Sequence, residues 1–154
     1  MCAANRIAPL ALLTLSCAAI APSYASPCGG ININHTLTWE PTEIAKGISL
    51  VNWRGSSVTV SNDRKGPFHL LSGECKGTFY VVSGGGTHGS GSCARRDKDG
   101  DVLFEDFETT GPKGTSKLVG GTGKFAKATG TFQHENIRLQ GSTAAVPWSG
   151  DCRL

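Results

Sequence analysis

Polar and apolar residues alternate over residues 31–39, where Ile31, Ile33, Leu37 and Trp39 are interleaved with Asn32, Asn34, Thr36 and Thr38. A period of two marks a half-buried strand, without fixing which of its faces points inward. Residues 41–46 predict one helical turn, opened by Pro41 and ended by Gly47. Further strands are predicted over 48–53, 57–61, 68–71, 75–82, 89–96, 102–108, 115–119 and 130–139. Asn62-Asp63, Gly84-Gly85-Gly86, Asp99-Gly100 and Gly111-Pro112 supply turns between them. No long window carries the apolar repeat of an amphipathic helix. Many short strands separated by glycine turns predict an all-β sandwich or barrel.

The hairpin around Gly84 yields to counting. Cys75 and Cys93 lie nine residues to either side of Gly84. A turn centred there sets them directly opposite on antiparallel strands, within disulfide reach. Cys28 and Cys152 remain as a second pair, tying the chain ends. Free or metal-bound thiols are the alternative, but the sequence has no Cys-x-x-Cys, and export favours disulfides. The same count opposes Tyr80 to His88, a pair that lines a pocket or packs on the surface.

Export is read from residues 1–25. Arg6 is followed by a short, uncharged, mostly apolar run over 7–20, and Ser23 and Ala25 offer small residues at a cleavage site. This is the layout of a secretory signal peptide. The run is too short to cross a bilayer as a helix, which takes about 20 residues, so no transmembrane segment is expected. Lipidation at Cys17 is disfavoured, because Thr14 stands where such signals usually have leucine. Removing the first 25 of 154 residues leaves 129, the size of one domain over 26–154. All 21 glycines lie in that part, about twice the usual density of roughly 7%. Loss of Arg6 lowers the formal charge from +3 to +2, too little to argue for nucleic acid. The expected location is the periplasm or the extracellular space. The sequon Asn34-His35-Thr36 fits glycosylation, and it would mean little if the host were bacterial.

Two glycine patterns mimic nucleotide motifs. Gly84-x-Gly86-x-x-Gly89 runs into Ser90-Gly91-Ser92-Cys93, which opens no helix. Gly121-x-Gly123-x-x-Ala126 follows a strand but lacks the later acidic residue and the crossover helices of a parallel sheet. No nucleotide or other cofactor is expected. The second stretch, Val119-Gly120-Gly121-Thr122-Gly123-Lys124-Phe125 and on to Gly130, resembles the Gly-Gly-Thr-Gly-Lys-Phe segment of dirigent proteins and allene oxide cyclase-like barrels. With Cys93 and Asp97-Lys98-Asp99-Gly100-Asp101 before it, the layout also resembles uncharacterised bacterial exported proteins of that barrel group. The resemblance covers about a dozen residues and implies an antiparallel barrel of about eight strands with a central pocket. It transfers no catalytic residue. Gly120, Gly121, Gly123 and Phe125 are read as a structural closure, with Phe125 plugging the core and Lys124 in solvent.

Candidate chemistry is sparse. Asp97, Asp99 and Asp101 suggest calcium, and Glu108 stands where an EF-hand loop ends, but position 102 is valine and the glycine falls early, at Gly100. A hairpin turn at Asp99-Gly100 is the plainer reading. His35, His69, His88 and His134 have no histidine neighbours at metal-binding spacing, and there is no Gly-x-Ser-x-Gly elbow. Arg95 and Arg96 lie near Glu105 and Asp106 on the next hairpin, and one pair aimed inward would be a site candidate. Tyr80, His88, Arg96 and Glu105 are therefore the candidate ligand contacts. The leading expectation is an exported barrel that is non-catalytic or binds a small apolar ligand. The alternatives are a cyclase-like or dirigent-like enzyme steering a reactive intermediate, and a structural envelope or secreted interaction protein.

Overall fold

The computed structural model describes residues 26–154, so the signal peptide expected over 1–25 lies outside the described residues. Nine strands follow one another: β1 (Ser26–Ala45), β2 (Ile48–Ser61), β3 (Leu71–Val82), β4 (Gly86–Arg96), β5 (Val102–Thr110), β6 (Lys113–Gly121), β7 (Thr129–Glu135), β8 (Ile137–Arg138) and β9 (Thr143–Arg153). β1 to β7 pair antiparallel in chain order, and β9 pairs with both β7 and β1. The sheet thus closes into a barrel, with the short β8 laid against β9 beyond the end of β7. Closure removes the open edges that would otherwise invite pairing with other chains. Among the described residues no helix is long and apolar enough to cross a membrane.

Three local elements differ from the sequence-based expectation. Residues 41–46 form no helical turn: β1 and β2 stay paired out to Ala45 and Ile48, and Gly47, at φ 74°, turns the chain. A ladder of hydrogen bonds outweighs one isolated helical turn, whose nucleation is unfavourable. Residues 68–70 form a turn rather than a strand, with Leu70 at φ 57° just before β3. The strand that closes the ring, β9, was not predicted. Pro147 hides it, because proline cannot donate to a ladder. It is tolerated because it lies between Ala145, paired with β8, and Trp148, paired with β7, where a missing N–H costs least.

The two ends of the interior are built differently. At one end Leu71, Leu103, Leu118, Phe125, Phe132 and Trp148 form the core. Phe125 is fully enclosed, its ring 6.2 Å from Phe68, and Phe132 lies 5.0 Å from Trp148. The Cys28–Cys152 disulfide joins β1 to β9 here, with 5.7 Å between Cα atoms.

The glycine-rich segment closes this end as a clasp. A single 3-10 turn, Gly123–Phe125, presents the Lys124 N–H to Asp101 Oδ2 at 3.1 Å. Gly123 has φ 51°, and a Cβ there would collide with the same carboxylate. Thr122 exchanges two hydrogen bonds with Val102: its N–H donates to the Val102 carbonyl, and its Oγ1 accepts from the Val102 N–H, each at 2.8 Å. The segment does cradle an anion, and that anion is the chain's own Asp101. Lys124 is exposed as expected, and its ammonium pairs with Asp97 and Asp99. Asp97 Oδ1 accepts the N–H groups of Asp99 and Asp101, each at 2.9 Å, so the three aspartates of the calcium candidate hold the turn and Lys124. The Lys124 hydrogen bond holds the Asp97 carboxyl below the usual carboxylate range.

In the β1–β2 hairpin the expected strand is present, and its polar face is the inner one. Ile31, Ile33 and Leu37 face outward, while Asn32 is buried. β2 is patterned alike, with Ser57, Thr59 and Ser61 buried and Val58 and Val60 outside. Thr59 Oγ1 donates to Asn32 Oδ1 at 2.8 Å, and Ser61 Oγ donates to the Gly29 carbonyl at 3.3 Å. Outside, Ile31 opposes Val60 and Ile33 opposes Val58, and these cross-strand pairs shield one another. A bulge at Leu37 then flips the parity, so Trp39 turns toward the barrel mouth.

Candidate functional site

The second end of the barrel is hollow. Its cavity has a volume of about 660 Å³ and faces walls of opposite character. One wall is aromatic: Trp53 meets Phe79 edge-on at 5.8 Å and Phe107 at 6.1 Å, Phe79 stacks on Phe107 at 6.4 Å, and Trp39 caps Phe79 at 5.8 Å. Glycines make room for these rings. Gly89 opposes Phe79 and Gly91 opposes Phe107, and a Cβ on either would enter the ring of its partner. The first false nucleotide motif therefore ends in a glycine that seats an aromatic ring.

The other wall is polar. Trp53 Nε1 donates to Thr36 Oγ1 at 3.2 Å, which anchors the aromatic wall to it. Asn34 Oδ1 is buried and finds no hydrogen-bond partner among the described residues. Across the cavity, Ser116 Oγ and His134 Nδ1 are 3.1 Å apart. His134 opposes Gly114, and a Cβ on that glycine would meet the imidazole Cε1 at 2.7 Å. Burial first, then the charge of Arg95, holds the His134 imidazole below its ordinary value.

The floor separates cavity from core. Cys75 and Cys93 are joined there, as the count about Gly84 places them, with 4.0 Å between Cα atoms. Beside them Arg95 and Glu105 form an ion pair, both side chains about 5% exposed. Arg95 Nη2 lies 4.0 Å from Cys75 Sγ, and its Nε is buried without a partner among the described residues. Burial lowers the guanidinium to about 10, so it stays charged at neutral pH. Such a pair is expensive to desolvate and marks a floor fixed in position.

Of the four predicted ligand contacts, only Glu105 points inward. Tyr80 and His88 do oppose each other, but on the outer face, where His88 Nδ1 lies 3.3 Å from Thr110 Oγ1. Arg96 also faces out and donates to the Gly100 carbonyl at 2.9 Å. Its neighbour Arg95 is the interior residue. The cause is strand parity: Cys93 is inside, so Arg95 is inside and Arg96 is not. Sequence reasoning missed Ser116, His134 and Asn34, and an inward-facing disulfide was the available signal for Arg95 and, through its partner Glu105, for β5. Among the described residues no group of three or more histidine, cysteine or acidic side chains is placed to hold a metal.

No protein-family model matches the sequence, and no curated protein matches it. Solved structures do. The chain is similar to the pterocarpan synthase dirigent protein GePTS1, at 15% identity and TM-score 0.53, over 92% of this chain and 96% of that one. It is also similar to the pterocarpan synthase dirigent protein PsPTS1, at 12% identity and TM-score 0.48, over 84% and 95%. The first likeness shows the fold: this is a dirigent-type barrel.

Proposed function

We propose that the protein is a small-ligand-binding barrel, with the ligand in the hollow end between the aromatic wall and the polar wall. The observation that carries this reading is a cavity of about 660 Å³ with aromatic rings on one side and Asn34, Thr36, Ser116 and His134 among the residues lining the rest. Small-molecule pockets are typically about 300–1,000 Å³ and mix apolar walls with a few polar groups. Because one wall is polar, the ligand is amphipathic rather than wholly apolar. Likeness to a pterocarpan synthase supports the barrel and assigns no reaction to this chain.

A fluorescence titration with N-phenyl-1-naphthylamine, a neutral flat probe, tests the reading. Saturable one-to-one binding is expected, and Asn34→Trp, which fills the cavity, should abolish it while leaving a cooperative melt. Absence of binding by the wild type would overturn it. We also propose export with cleavage after Ala25, which the two disulfides favour. Intact mass of protein recovered from the periplasm or medium should correspond to a chain starting at Ser26, and retention of residues 1–25 would refute cleavage.

A further inference from the structure

We propose that His134 is a base built into the cavity, positioned by Ser116 to take a proton from a neutral ligand; this rests on the cavity being the ligand site. His134 points inward from β7, half-buried, and lines the cavity. It occupies space that any side chain on Gly114 would take. Ser116, almost fully buried, holds Nδ1 at 3.1 Å and leaves Nε2 with no hydrogen-bond partner among the described residues. One ring nitrogen is thus anchored and the other is free for chemistry, the usual division of labour in a base with an orienting partner.

The surrounding charges suit the same role. Besides His134, the charged groups lining the cavity are Arg95 on β4, Glu105 on β5 and Arg138 on β8; the strands flanking His134, β6 and β9, contribute none. Burial and Arg95 both disfavour the imidazolium, so the ring is a neutral base at neutral pH. Arg95 lines the same cavity, and its positive charge favours the anion that proton removal creates. The substrate class is a neutral, largely flat molecule with an acidic C–H or O–H bond. The reaction class is an isomerisation or elimination begun by proton abstraction.

5-Nitrobenzisoxazole is the probe. A base takes its ring C–H proton, the C–H electron pair forms the nitrile, the N–O bond breaks and oxygen leaves as a phenolate, so no co-reactant is needed. The wild type should show saturable turnover whose kcat/KM falls on the acid side only below the ordinary histidine value of 6.5. His134→Gln should lose about 100-fold or more, the low end of what a positioned general base contributes. Ser116→Ala should lower kcat and move the acid limb with KM unchanged, and Ser116→Thr should restore both. Titration of the His134 ring carbon by NMR in the wild type gives a second measurement that needs no variant. If the probe displaces N-phenyl-1-naphthylamine yet His134→Gln turns over as fast as the wild type, His134 is not the base and the cavity reading stands. A ring titrating at or above 6.5 has the same consequence. If neither compound binds, the cavity reading falls and the base with it.

Discussion

The packed end and the hollow end of this barrel are made from the same strands, yet they spend their inward positions differently. At the packed end those positions carry Leu71, Leu103 and Leu118 around Phe125. At the hollow end they carry glycines that seat aromatic rings, and amides and hydroxyls on the facing wall. The Arg95–Glu105 pair lies between, touching the cavity on one side and the core on the other. One end is organised to stay closed, and the other keeps volume that the chain could have filled. A barrel needs only part of its length for stability, which leaves the remainder available for a site.

The two disulfides offer the largest contrast. Cys28–Cys152 spans 124 residues at the packed end and Cys75–Cys93 spans 18 beneath the cavity. The chain-entropy argument gives about 4–5 kcal/mol for the first and about 3 for the second. Replacing each pair by alanines and comparing urea midpoints checks both the order and the gap. Aromatic truncation should follow the same division. Phe125→Ala should cost about 3–5 kcal/mol, as for other buried phenylalanines. Phe79→Ala, which enlarges an existing cavity from its partly exposed wall, should cost about 1–2 kcal/mol on the apolar area it removes. Equal losses would erase the distinction between the two ends.

At the boundary, Glu105→Gln should destabilise by about 3 kcal/mol or more, because it leaves the Arg95 charge buried without its partner. The double change Arg95→Met with Glu105→Leu should recover most of that loss. A smaller, pH-dependent effect belongs to the clasp. Asp97 is held below the usual carboxylate range by Lys124 first, and Asp99 by Lys98 first and then Lys124. Carboxyls depressed in the fold add stability above their unfolded value and lose it as pH falls through the folded one. Lys124→Met should therefore lower Tm at neutral pH and flatten its fall below about pH 4. An unchanged acid limb would mean the clasp contributes nothing.

Some of this was legible in the sequence for a local reason. The hairpin at Gly84 is short, so counting from the turn sets Cys75 against Cys93, and that register is present. The inner face of the β1–β2 hairpin was not legible, because alternation reports that two faces differ and not which one is inside. Ile31 and Ile33 look like core residues until Thr59 and Asn32 are seen to satisfy one another in the interior. The closing strand β9 was hidden by Pro147, whose acceptability depends on where β7 stops and β8 starts. His134 was legible as a histidine and not as a site residue, since Ser116, Gly114 and Arg95 reach it only through pairing and closure of the ring.

The three tryptophans allow the central contrast to be read in one spectrum. Trp39 and Trp53 stand at the hollow end and Trp148 lies in the packed core. Each gives one indole N–H signal in a ¹⁵N-labelled protein. Titration with N-phenyl-1-naphthylamine should move the Trp39 and Trp53 signals along saturable curves and leave Trp148 in place. Movement of Trp148 with the other two silent would contradict the division between a closed end and a ligand-binding end.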